Sequence, residues 1–170
     1  PRFLFFSPKH REAYNHLLYG IRERKGFIQL TGEVGAGKTT ICRAMLEQLG
    51  PDWATALILN PMLDADGLIK AICMEFGLSV KGLDLDRLET TALLNEFLLS
   101  LVDQKKDAVL IIDEAQDMSD ELLEQVRLLS NLETYERKLL QIVLMGQPEL
   151  RDHLNQPKLK NLRQRITVRY

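Results

Sequence analysis

Apolar residues in this chain fall into two patterns, short unbroken runs and positions spaced three and four apart. The runs at Phe27-Ile28-Gln29-Leu30, 54–59, 108–112 and 139–145 predict four strands, and Ile166-Thr167-Val168 predicts a fifth. Five successive apolar residues at Ala108-Val109-Leu110-Ile111-Ile112 suit a strand covered on both faces, as in a parallel sheet. Between the runs, helical spacing recurs in Tyr14, Leu17, Leu18 and Ile21, and again in Ile41, Ala44, Met45 and Leu49. It returns in Leu68, Ile69, Ile72, Cys73 and Phe76, then in Leu88, Leu94, Phe97, Leu98 and Leu101. Leu122, Leu123, Val126, Leu129 and Leu132 form one more such stripe.

The punctuation agrees with this division. Ser7-Pro8 reads as an N-cap followed by proline at the first helical position, and cations with Gly26 end that helix. His10 and His16 fall on its solvent side. Gly50-Pro51 stops the next helix; Asp64 or Asp66 can cap the third, and Gly77 ends it. Residues 80–86 read as a loop. Asp117 or Ser119-Asp120 can cap the helix after the 108–112 strand, and Gly146-Gln147-Pro148-Glu149 turns the fourth strand into another helix. Strands alternating with helices predict an α/β fold.

Two of the strand ends carry chemistry. Gly32-Glu33-Val34-Gly35-Ala36-Gly37-Lys38-Thr39 satisfies G-x-x-x-x-G-K-[ST] between a predicted strand and a predicted helix. Glycines let the backbone turn so that successive N–H groups and the helix N-terminus face phosphate oxygens. Lys38 would reach the β- and γ-phosphates of ATP, and the Thr39 hydroxyl, followed by Thr40, would ligate Mg²⁺. Asp113-Glu114 follows the 108–112 strand, and in open α/β sheets ligands bind beyond the carboxyl ends of strands. Asp113 would hold Mg²⁺ through water, and Glu114 would orient or deprotonate the attacking water. The competing explanation of both acids is capping of the next helix. Gln147, at the end of the fourth strand, is a candidate sensor of the γ-phosphate or a plain helix cap.

Composition narrows the picture. At 170 residues one core is expected. Net charge is 22 − 24 = −2, which disfavours a globally basic nucleic-acid surface, although Lys158, Lys160, Arg163 and Arg165 cluster locally. Cys42 and Cys73 lie on apolar helix faces and read as reduced core residues suited to the cytosol. No apolar run approaches the roughly 18 residues of a membrane span, and no signal peptide is visible. The first residue is Pro1 and Tyr170 falls within a predicted strand, so the sequence reads as a segment of a longer protein.

The order of these pieces resembles the AAA+ ATPase core, and their wording is similar to the general secretion pathway A branch, to which transposition-helper ATPases are related. The resemblance is carried by Phe5-Phe6-Ser7-Pro8-Lys9-His10-Arg11-Glu12-Ala13, the Gly32–Thr39 loop, and Leu110-Ile111-Ile112-Asp113-Glu114-Ala115-Gln116. Gly146-Gln147-Pro148-Glu149-Leu150 and Leu162-Arg163-Gln164-Arg165-Ile166 complete it. It implies a P-loop NTPase three-layer α/β/α unit over 1–170, with a five-stranded parallel sheet of order 5-1-4-3-2, the phosphate-loop strand central, and the helical lid absent. It further implies ring or partial-ring assembly with ATP at subunit boundaries, where Arg165, or failing it Arg163, reaches the neighbour's γ-phosphate. The implied activity is Mg²⁺-dependent conversion of ATP to ADP and phosphate, weak in an isolated segment. That activity would drive assembly of a secretion or envelope complex with a protein partner, from the cytoplasmic side. A DNA-associated transposition helper is the alternative, and a small-molecule kinase a lesser one.

Overall fold

The computed structural model describes residues 7–33 and 37–169. In chain order the elements are α1 (Pro8–Arg22), β1 (Phe27–Thr31), α2 (Lys38–Leu49), β2 (Trp53–Ile58), α3 (Ala65–Glu75) and α4 (Arg87–Asp103). There follow β3 (Asp107–Ile112), a 3₁₀ turn (Ala115–Asp117), α5 (Asp120–Leu129) and β4 (Gln141–Gly146). The chain closes with α6 (Pro148–Leu154), a second 3₁₀ turn (Pro157–Leu159), α7 (Lys160–Arg165) and β5 (Ile166–Arg169). Helix starts follow local chemistry: the side chains of Ser7, Asp64, Asp86 and Ser119 each accept a backbone N–H from the first turn of α1, α3, α4 and α5. Asp64, not Asp66, is therefore the cap of α3, and Asp66 instead pairs with Arg87 across to α4.

All strand pairings are parallel, in the order β2-β3-β4-β1-β5. The expectation of five equivalent strands needs correction. Continuous register covers the four strands 1-4-3-2, whereas β5 adds to the outer side of β1 through three residue pairs, with a register break between Phe27 and Ile28. The phosphate-loop strand is interior, and β4 occupies the middle position.

Strand alternation sends side chains to two cores. Ile28, Leu30, Val109, Ile111, Val143 and Met145 meet α1 and α2 on one face. On the other, Ala56, Ile58, Leu110, Ile112, Ile142 and Leu144 meet α3, α4, α5 and α6. Burial on both sides explains why the strands read as unbroken apolar runs. One helix position departs from its pattern: Leu88 is 79% exposed, and Thr90 is buried in its place. Thr90 stands four residues before Leu94 and shares its face, whereas Leu88, six before, is rotated well away. Among the described residues no helix is long and apolar enough to cross a membrane.

At the amino end of the sheet, Asp107 accepts hydrogen bonds from Arg24 Nε (2.9 Å) and Nη2 (3.0 Å) and from Arg137 Nη1 (3.1 Å). Arg137 also donates to the Lys106 carbonyl at 3.3 Å, so one carboxylate ties the α1–β1 turn and the β4 approach to β3. Asp107→Ala should lower stability by about 1–2 kcal/mol, after discounting for the solvent-facing arginines. Thermal unfolding should shift down by roughly 2–8 °C. Nucleotide affinity should not change, because this network lies at the opposite end of the strands from the phosphate loop.

Candidate nucleotide site

The site is built where β1, β3 and β4 end. Thr31 is in register with Gly146, and the Gly32 N–H donates to the Gly146 carbonyl at 3.1 Å, so the start of the phosphate loop is pinned to the end of β4. Val34, Gly35 and Ala36, the middle of the loop, lie outside the described residues, as do Phe5 and Phe6. At its far end Gly37 has φ 82°, a left-handed conformation that favours glycine. An added Cβ there would also stand 3.3 Å from His10 Nε2. His10 is therefore half-buried against the phosphate loop and not on the solvent side of α1, because the Ser7 cap turns the first helical turn toward α2. Spacing within α1 could not reveal a contact made by the packing of α1 on α2.

Lys38 opens α2, and its ammonium donates to the carbonyls of Gly32 (2.7 Å) and Glu33 (3.0 Å), which holds the charge across the loop mouth. The Thr39 hydroxyl donates to Asp113 Oδ2 at 3.1 Å. Asp113 is 6% exposed, its Oδ1 accepts the Glu114 N–H at 2.8 Å, and its own N–H donates to the Ile58 carbonyl at 2.8 Å. Lys38, Thr39 and Asp113 thus share one rim of the sheet. Two hard oxygen donors converging from separate elements, with room for phosphate and water oxygens between, fit Mg²⁺. Thr40 and Glu33 are exposed, and the side chain of neither makes a contact that assigns it a role.

The helix-cap explanation of the acids fails on geometry. Ser119 caps α5, and Glu114 precedes the 3₁₀ turn without a side-chain capping bond. Glu114 instead adopts a left-handed backbone, φ 54° and ψ 37°, a conformation that costs a non-glycine residue about 1–3 kcal/mol. Its Oε2 accepts a hydrogen bond from Gln116 Nε2 at 2.6 Å, and Gln116 Oε1 accepts the Gln147 N–H at 3.0 Å. Gln147 occupies the N-cap position of α6 without a side-chain capping bond, so its amide is not used as a cap. Gln116 is the member of this group that the sequence reading did not single out; its clue was the position two residues after Glu114.

Arg163 and Arg165 are not brought to this rim. Arg165 ends α7, and the next residue, Ile166, pairs with Phe27 at the amino end of β1. At the usual strand rise that is about 13 Å from Thr31. Arg163 is exposed and Arg165 half-buried.

Cys42 lies beneath the site on α2. Burial first, then the Asp113 charge, pushes its thiol up to about 12, and burial pushes Cys73 up to about 11. Both thiols therefore stay protonated at mildly alkaline pH, where a free thiol begins to ionise. Alkylation of the native protein there should be slow at both, and fast after denaturation; rapid native labelling of Cys42 would contradict its burial.

A parallel α/β sheet with a phosphate loop after β1 and an Asp-Glu pair after β3 defines a P-loop nucleoside-triphosphatase core. Residues 21–154 match the AAA domain family, and the chain belongs to it. Over 173 aligned residues it is 49% identical to General secretion pathway protein A of Aeromonas hydrophila, covering all of this chain and 31% of that protein. The chain thus spans about a third of the length of this relative. Among solved structures, Cdc6p from Pyrobaculum aerophilum superposes with a TM-score of 0.73 at 17% identity, over 98% of this chain and 46% of that one. The Aeropyrum pernix ORC2 protein, solved as ADPNP-ADP complexes, gives 0.68 at 15% identity, over 95% and 46%. At such identities the likeness is one of fold.

Proposed function

We propose that this chain is the Mg²⁺-dependent ATP-binding and hydrolysing unit of a protein that drives assembly of a secretion or envelope complex. The observation that carries the chemistry is the Thr39–Asp113 contact of 3.1 Å, which joins the phosphate-loop helix to the acid-bearing strand beside Lys38. The secretion role rests on likeness to the Aeromonas hydrophila protein. Gly32 to Thr40 hold the phosphates, Lys38 neutralises the β- and γ-oxygens, and Thr39 with Asp113 hold Mg²⁺. Bound there, the metal spreads the charge that develops on the phosphate oxygens. Glu114 takes the proton of the attacking water, and Gln147 orients the γ-phosphate from the β4 end. Arg165, or Arg163 in its stead, completes the site of a neighbouring copy in a ring or partial ring.

The DNA-linked alternative draws on the basic stretch near α7, but Lys158 is engaged with Asp120 at 2.6 Å. That bond, and then the one from His153, hold the Asp120 carboxyl below its ordinary value.

Titration of ATP with Mg²⁺ tests the reading. Lys38→Ala should weaken binding about 10- to 100-fold, the loss expected of a charge-assisted phosphate contact. Phosphate should appear in water and not on an acceptor. Unchanged affinity in Lys38→Ala, or transfer to a metabolite, would remove the ATPase assignment; steeply salt-dependent duplex binding in ATP would favour the DNA-linked one.

A further inference from the structure

We infer that Gln116 is a positioning residue: its side-chain amide fixes the Glu114 carboxylate and couples it to the β4–α6 turn that carries Gln147. The inference rests on the ATPase reading above and adds to it a residue outside the phosphate loop and the acid pair. The orientation of the amide is set by its partners. The Gln147 N–H can only donate, so the atom 3.0 Å away is the amide oxygen. The amino group is left to donate to Glu114 Oε2 at 2.6 Å, and a carboxylate is the acceptor it needs. One planar group therefore holds the proposed base on one side and the turn facing the γ-phosphate on the other.

Gly146 supports this from beneath. It ends β4 in ordinary extended pairing, so the turn does not demand a glycine for its conformation. Space demands it: a Cβ at 146 would lie 2.6 Å from Gln116 Oε1 and 3.3 Å from the Gln116 nitrogen. The amide cannot swing away from such a Cβ without giving up its bonds at both ends. The same Gly146 carbonyl receives the Gly32 N–H, so the phosphate loop, the β4 end and Glu114 are linked through a short chain of hydrogen bonds. A shift of the turn when phosphate is engaged reaches the carboxylate through Gln116.

Steady-state hydrolysis and ATP affinity, measured in single and double variants, separate this role from a merely structural one. Gln116→Met keeps length but loses both hydrogen bonds. It should lower kcat about 10- to 100-fold, as removal of a group that orients a reactive ligand does, while ATP affinity stays within about threefold. In a Glu114→Gln background the same substitution should change kcat less than about twofold, because its effect passes through Glu114. Gln116→Glu, which keeps an acceptor for Gln147 but sets a carboxylate against Glu114, should reproduce the loss and serves if the Met variant does not fold. An unchanged or raised kcat, or an equal loss in both backgrounds, overturns the inference. If Glu114→Gln itself leaves hydrolysis intact, the ATPase assignment has failed instead.

Discussion

Arg165→Ala should leave each subunit able to bind ATP yet remove about 10³- to 10⁵-fold of the hydrolysis seen in the assembled protein, roughly 4–7 kcal/mol of barrier. Placement of α7 motivates the size of this effect and its form. Arg165 stands beside the amino end of β1, a strand's length from Lys38 of its own chain, so its guanidinium can serve only a site on another copy. Hydrolysis should therefore rise with protein concentration in the unaltered protein and not in Arg165→Ala. Mixing gives the sharper result. Lys38→Ala subunits lack a competent site but keep Arg165, and Arg165→Ala subunits have the reverse defect, so a mixture should regain turnover that neither shows alone. No recovery on mixing, with Arg165→Ala as active as the parent, would sink the trans role. If Arg163→Ala alone shows the defect, the role moves two residues upstream.

Glu114→Gln should slow phosphate release about 10²- to 10⁴-fold, the contribution of a positioned general base, with ATP affinity changed no more than a few-fold. The substitution suits the question because it is isosteric. The new amide can turn its oxygen toward Gln116 Nε2, so the hydrogen bond to that side chain survives while the proton acceptor is lost. The left-handed backbone at residue 114 is retained at similar cost in both forms, and folding should differ little. The variant should bind ATP and keep it, which single-turnover measurements and retention of labelled nucleotide would detect. Wild-type turnover in this variant would assign water activation to another group.

Local motifs were legible because their physics is local. A phosphate loop requires glycines, a lysine and a threonine next to one another, and Gly37 with φ 82° meets a backbone demand that neighbouring residues impose. Strand assignments succeeded because burial on two faces leaves unbroken aliphatic runs. Leu88 was misplaced for the opposite reason: apolar identity does not say which face of α4 meets α3, and Thr90 took the inward position. The fifth strand shows the same limit, since Ile166-Thr167-Val168 has strand character but its short, broken register depends on how α7 brings it to β1.

What the amino-acid order determined by itself is the set of chemical groups and the local backbone that presents them: the glycine loop, Lys38 and Thr39 at a helix start, two acids at a strand end, and serine or aspartate caps. What only the tertiary structure decided is which of those groups meet. Thr39 and Asp113 stand 74 positions apart, Gln116 reaches Gln147 from 31 positions away, and His10 folds over Gly37. Arg165 is turned to the opposite end of the sheet from Lys38. Those placements follow from strand order and register, which arise from the burial of many apolar side chains at once, so no short stretch of sequence contains them.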